Sequence, residues 1–215
     1  MPTDATTIDL TRNEKRRAAA NSVLAALGLT GMKLAVGLLS GSLGLLAEAA
    51  HSGLDLVAAL ITFVAVSVSD RPADESHPYG HGKVENFSAL IETFLLFVTC
   101  AWIIYEAVRR IFFRDVHVEP SLWAFLVVVI AMVVDINRSR MLSRAAKKHR
   151  SQALEADALH FSTDIWSSAV VLVGLALVWV GQKMLPESSA FLNRADAVAA
   201  LGVAFIVLFV SYRLG

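Results

Sequence analysis

The sequence predicts an all-α fold, a bundle of six transmembrane helices with both termini in the cytoplasm. Three observations lead there. The 215 residues are 56% hydrophobic and only 18% charged, where soluble domains sit near ~45–50% and ~25%. Mean hydropathy is +0.59, and the apolar residues would supply about six crossings at the ~20 residues that a membrane helix needs. Those residues also fall into separate long runs, none with the period-two alternation of a membrane barrel strand. The composition argues against a water-soluble globular enzyme. Disorder is excluded more firmly, because its signature is low hydrophobicity with high net charge.

Taken in order, the runs cover 18–39, 44–68, 87–111, 122–142, 159–180 and 195–214. The polar stretch 1–17 before them is expected to be a cytoplasmic tail, since it lacks the basic-then-apolar layout of a cleaved signal peptide. Residues 18–215 are then a single six-span transport domain. A Ser/Gly turn at 40–43 joins the first two spans. The polar segment 69–85 follows, with Pro72, Pro78 and two histidines, His77 and His81. The segment 112–121 holds Arg114, Asp115, His117 and Glu119. Asp135, Asn137, Arg138 and Arg140 interrupt the fourth run, but polar residues near one end of a span can snorkel or pair. A basic segment, 139–152, and a mostly neutral one, 181–194, complete the connections.

The 19 basic and 19 acidic residues cancel, so no basic excess argues for nucleic acid. Their placement is more informative. With the N-terminus inside, thirteen Lys and Arg residues fall on the cytoplasmic side and five (Arg109, Arg110, Arg114, Lys183 and Arg194) on the other. That satisfies the positive-inside rule. The basic segment 139–152 orients the chain and can also meet anionic membrane lipid. The one cysteine, Cys100, lies in an apolar run and supplies neither an intramolecular disulfide nor a cysteine metal cluster.

The second run contains His51-Ser-Gly-Leu-Asp55 and the fifth His160-Phe-Ser-Thr-Asp164. Residues four apart on a helix share one face, so each pair can converge on a point. Two such helices facing each other offer two imidazole nitrogens and two carboxylate oxygens, a tetrahedral set suited to zinc. The alternative is hydrogen-bonded glue between helices. The repeated spacing favours a metal or proton site, because a charge at the helix centre costs ~2.5–3.5 kcal/mol on insertion scales. In the segment after span two, Asp74, His77 and His81 could chelate a second ion; the blander reading is a solvated turn shaped by Pro78 and Gly80. Lys33 and Glu48 read as a pair near the outer face. Glu92 and Asp135 read as residues that line the cavity or neutralise arginines, and His117 and His149 as solvated.

The stretches GSLGLLAEAAHSGLD, HPYGHGKVE and DALHFSTD resemble the cation diffusion facilitator family of metal transporters. The likeness covers the membrane region from about Asn13 to Gly215. It implies six membrane helices, a homodimer, and export of divalent metal from the cytosol in exchange for protons. By motif position, the family's transport site falls on His51, Asp55, His160 and Asp164, and this mixed His–Asp set is similar to the zinc-preferring subgroup. Relatives exporting iron or cobalt use such mixed ligands too. Some bacterial members bind a second metal through an Asp-x-x-His-x-x-x-His pattern, which Asp74, His77 and His81 match. Family members usually continue into a cytoplasmic α/β domain. This chain stops at Gly215, so that domain is expected to be absent.

The expected function is efflux of divalent cations across the cell membrane (the inner membrane, for a bacterium) in exchange for protons. Zinc is the expected cargo, with Fe2+, Co2+ and Cd2+ as alternatives. The partners are metal ions, protons, lipids and a second copy of the chain. The rival is an intramembrane metalloenzyme, which needs a catalytic base beside the metal and an open coordination position. His-Glu-x-x-His is absent from the sequence, so an enzyme is not expected.

Overall fold

The computed structural model describes residues 5–40, 43–112 and 122–184. They form helices α1 (Ala5–Ser40), α2 (Leu43–Ser69), α3 (Lys83–Phe112), α4 (Leu122–His149) and α5 (Gln152–Met184), with no strand among the described residues. The segments Leu10–Leu39, Glu48–Ser69 and Lys83–Trp102 are long and apolar enough to cross a membrane. The run 195–214 and His117 lie outside the described residues. One local feature differs from the sequence pattern and a second follows it. The polar stretch before the first run is helical from Ala5, and α4 continues unbroken through Asp135, Asn137, Arg138 and Arg140.

The chain divides into two compact units, Met1–Thr93 with Ile136–Phe161, and Phe94–Asp135 with Ser162–Gly215. In the first, the helices are built inside out relative to a soluble bundle. Lys15, Ala19, Ser22, Ala26, Leu29 and Lys33 recur at three- and four-residue intervals along α1 and are buried. Leu24, Leu27, Leu34 and Leu38 face outward from the same helix. On α2 the buried set is Ala49, Ser52, Asp55, Ala58, Ala59, Thr62, Ala65 and Val66, while Leu54, Val57, Leu60 and Val64 are exposed. Lipid tails solvate leucine as well as a protein interior does, so the large side chains gain little by turning inward. Small residues gain close backbone approach, and polar ones gain partners. At Gly37 the approach is tight. A Cβ there would lie 3.0 Å from Leu46 Cδ2 and 3.2 Å from the Leu46 backbone nitrogen.

The apolar core of this unit joins α1, α2, α4 and α5 through Ala19, Val66, Leu142, Ala146, Ala153, Leu154, Ala158 and Phe161. Polar bonds cross it. The Arg138 guanidinium lies 3.5 Å from the Phe161 ring centroid and donates from Nη2 to Ser22 Oγ at 3.1 Å. Ser22 in turn donates to Asp157 Oδ2 at 3.2 Å. Thr62 on α2 donates to Glu92 on α3 at 2.8 Å, and Ser139 on α4 to the Ala158 carbonyl on α5 at 2.9 Å.

At one end of the unit Lys15 is an ionic knot. Its Nζ donates to Asp70 Oδ1 at 2.5 Å and to Glu85 Oε1 at 3.0 Å. The remaining valences of Glu85 are met by the hydroxyls of Ser69 and Ser151. Ser151 has further duties. Arg150 has φ 50°, and the Ser151 N–H closes back on the Ala146 carbonyl at 3.2 Å, the Schellman ending of α4. The Ser151 carbonyl then accepts the Glu155 N–H at 3.1 Å and opens α5. Nearby, His149 departs from the solvated reading. Its side chain is nearly buried, and its Nε2 lies 2.9 Å from Glu14 Oε2, a carboxylate that also pairs with Lys148.

In the second unit Leu96, Cys100, Val127, Ala131, Asp135 and Thr163 are buried, while Phe94, Phe97, Trp102 and Tyr105 are exposed along α3.

Removing one partner of a buried ion pair leaves the other charge uncompensated, at a cost of ~3–5 kcal/mol. Lys15→Met should therefore lower stability by about 3 kcal/mol, read as an earlier unfolding midpoint of the purified protein in detergent. Glu14→Gln breaks the solvent-exposed pair with Lys148 but keeps an acceptor for the nearly buried His149, and should shift that midpoint far less than Lys15→Met.

Candidate metal centre

Helical spacing sets the first pair. His51 and Asp55 lie one turn apart on α2, and His51 Nε2 is 3.9 Å from Asp55 Oδ1. From α5, His160 Nε2 approaches the same Asp55 oxygen at 3.2 Å. The side chains of His160 and Asp55 are 4% and 11% exposed, whereas His51 is 36% exposed. Two imidazole nitrogens thus face one carboxylate oxygen, two of the groups buried and the third reachable. Four ligands at zinc-type bond lengths of ~2.0–2.1 Å stand about 3.3 Å apart along the edges of a tetrahedron. The His160–Asp55 separation matches that edge, and the His51–Asp55 separation is slightly longer.

Without a cation, a proton on an imidazole nitrogen can bridge to the carboxylate. A divalent ion would need that nitrogen bare. Proton and metal therefore compete for the same atoms. Asp164 follows His160 by one turn on α5, in the second compact unit. The i, i+4 register puts it on the same helix face as His160.

The loop between α2 and α3 folds around Asp74. Its carboxylate accepts the His77 backbone N–H at 2.7 Å, and the backbones of the two residues bond to each other. The chain then turns through Gly80, whose φ of 76° suits a residue without a side chain. His77 Nδ1 lies 3.0 Å and His81 Nε2 3.5 Å from the Asp74 carboxylate, and the imidazole rings are 4.4 Å apart. One ligand atom from each of the three residues falls within 4.8 Å of the others, so the loop brings the expected trio together. The His77 ring, hydrogen-bonded to Asp74, holds that carboxyl below the usual carboxylate range. Asp74 thus stays ionised to lower pH than an ordinary aspartate, through a ring proton that a cation would have to displace.

Some partners escaped the sequence reading. Lys33 does pair with Glu48, at 3.2 Å, and also donates to Ser52 Oγ at 2.8 Å. The Ser22–Asp157 and Arg138–Ser22 bonds, which hold the start of α5 three residues before His160, were not anticipated. An aspartate just before the fifth apolar run and an arginine inside the fourth were the signal available.

Residues 20–215 match the family profile described as the cation efflux transmembrane domain. The chain is 36% identical to an uncharacterised transporter of Synechocystis over 90% of its own length and 59% of the relative's. It is 32% identical to the cation-efflux pump FieF of Cronobacter sakazakii, over 93% of this chain and 63% of that one. A magnetosome protein, MamB of Magnetospira, is 32% identical over 87% of this chain and 60% of that one. The chain therefore spans about three-fifths of the length of these relatives. Its helices, its paired histidines and aspartates and these matches agree: the chain belongs to the cation efflux family, also called cation diffusion facilitators, and carries that family's transmembrane domain.

Proposed function

We propose that the chain exports a divalent cation, zinc in the first instance, from the cytosol in exchange for protons, through a shell of His51, Asp55, His160 and Asp164. The observation that carries this reading is the buried approach of His160 Nε2 to Asp55 Oδ1 at 3.2 Å, with His51 facing the same oxygen. In this reading the chain crosses the membrane six times with both termini in the cytoplasm, and it works as a homodimer. Its likeness to a cation-efflux pump supports transport rather than catalysis.

The steps follow from ligand chemistry. The unloaded site returns to the cytosolic side with protons on its imidazoles, whose unperturbed pKa of ~6.5 lets them give those protons up near cytosolic pH. A metal ion entering the shell takes the imidazole lone pairs and displaces their protons. Two carboxylates then neutralise its charge, so the loaded site carries no net charge through the low-dielectric interior. Once the site opens outward, protons return to the nitrogens and carboxylates and the ion leaves. Nitrogen and oxygen ligands in equal number favour zinc over magnesium and calcium, which take oxygen alone. The same set accepts Fe2+, Co2+ and Cd2+, so competition decides the cargo. The loop trio of Asp74, His77 and His81 is an accessory cation site.

Zinc uptake into everted vesicles driven by a proton gradient tests this function. Asp55→Ala or Asp164→Ala should reduce it to background at matched protein level. Losing a ligand should cost more than the about 10–100-fold lost when only a ligand's hydrogen-bond partner is changed. Normal uptake by either variant would refute the assigned shell.

The loop gives a separate expectation. His77→Ala combined with His81→Ala should lower the zinc stoichiometry of the purified protein yet keep partial transport. A double variant as inactive as Asp55→Ala would make the loop site essential.

For selectivity, His51→Asp turns the shell into three oxygens and one nitrogen. Manganese should gain on zinc, discrimination against cadmium should change, and the pH optimum should move lower as one imidazole leaves the proton competition. Competition uptake of zinc, cadmium, iron and manganese across a pH series measures all three. An unchanged ranking would assign selectivity to the packing around the ligands.

A further inference from the structure

Lys33 stands in the last third of α1, 7% exposed, within a segment long and apolar enough to span the membrane. A charged side chain at such a depth is costly and needs a reason. Its partner is less enclosed, the side chain of Glu48 being 50% exposed. The ammonium is held by two contacts, and a third bond fixes one of its partners. Nζ donates to Ser52 Oγ at 2.8 Å and lies 3.2 Å from Glu48 Oε2, and Thr30 on the same helix fixes the Ser52 carbonyl at 2.9 Å. Ser52 directly follows His51 and precedes Asp55 by three positions, so Glu48, Ser52 and Asp55 form one stripe along α2. A positive charge is therefore anchored on Ser52, which precedes Asp55 on the same helix by three positions, ~4.5 Å of rise.

We propose that Lys33 is an affinity-tuning residue of the cation site, whose charge weakens the hold of the shell on its divalent cargo, and that Glu48 sets how much of that charge the cargo feels. The proposal rests on the transport site described above. A shell of two carboxylates and two imidazoles binds zinc tightly, and a carrier has to let its cargo go. A nearby ammonium repels a divalent ion and leaves the proton exchange intact, and in a poorly screened interior the repulsion is strong. Glu48, paired with the ammonium, offsets part of it. Removing the lysine leaves an extra negative charge beside the shell, while removing the glutamate leaves an extra positive one.

The two charges should act in opposite directions, which a merely structural tie between α1 and α2 would not produce. Zinc transport is measured in everted vesicles for Lys33→Gln, Glu48→Gln and the double variant, with Asp55→Ala as the control for the site. Lys33→Gln, which keeps a donor for Ser52, should lower KM about tenfold and lower kcat as release slows. Glu48→Gln should raise KM several-fold with kcat maintained, and the double variant should return KM towards that of wild type. If Asp55→Ala transports normally, the site itself is misassigned and the proposal falls with it. If Asp55→Ala is inactive but Lys33→Gln leaves KM unchanged or raises it, the site stands and the tuning role is overturned. Glu48 is exposed enough for Glu48→Gln to fold whatever Lys33 does, so a KM at or below wild type in that variant also overturns the proposal, even if Lys33→Gln yields no protein.

Discussion

Hydrocarbon offers no hydrogen bonds, so each charged or polar group carried between these helices has to find its partner on another helix. That constraint accounts for most of the bonds in the first unit. Arg138 reaches Ser22, Ser22 reaches Asp157, and Thr62 reaches Glu92, while at the unit's polar end Lys15 is shared by Asp70 and Glu85. The leucines that would form the core of a soluble bundle point outward instead. Alanine, serine and threonine let the backbones close in, and the polar bonds then fix which helix meets which. Apolar packing alone would tolerate sliding, whereas a lysine between two carboxylates has few registers available.

The same scarcity of partners makes the His160–Asp55 contact chemically active. In water this pair would exchange with solvent and hold nothing. Buried, the imidazole and the carboxylate have each other, and only a proton or a cation can come between them. His51, more open than His160, gives an incoming ion a first nitrogen without complete desolvation. The arrangement thus grades from a reachable ligand to two enclosed ones along the opposed faces of α2 and α5 within the first unit.

The repeated His-x-x-x-Asp spacing was legible because it is local: one helical turn decides it. The continuity of α4 through Asp135 to Arg140 was legible for the same reason, since neither a proline nor a glycine interrupts that stretch. The loop trio could be read from its compact spacing around Pro78 and Gly80. What could not be read was pairing at long range. Lys15 and Glu85 are 70 positions apart, Arg138 and Ser22 are 116 apart, and Asp157 and Ser22 are 135 apart. No periodicity in the chain links such residues. His149 misled for a related reason. In a segment rich in lysine and arginine it looks solvated, yet packing against the start of α1 gives it Glu14 as a partner. The pairing of Lys33 with Glu48 was within reach because the spans that carry them are joined by a tight turn.

Ser151 gives the first unit a mechanical character. Within a single residue it ends α4, begins α5 and clasps Glu85 at the start of α3. A link this short has no slack. A tilt at the beginning of α5, the part that carries His160, is passed to the end of α4 and pulls on the carboxylate that Lys15 also holds. Residues added between His149 and Gln152 would cut that transmission, leaving both helices intact but no longer geared to each other. The loop around Tyr79, whose side chain is 98% exposed, has no such role and is the better place to attach a probe or tag.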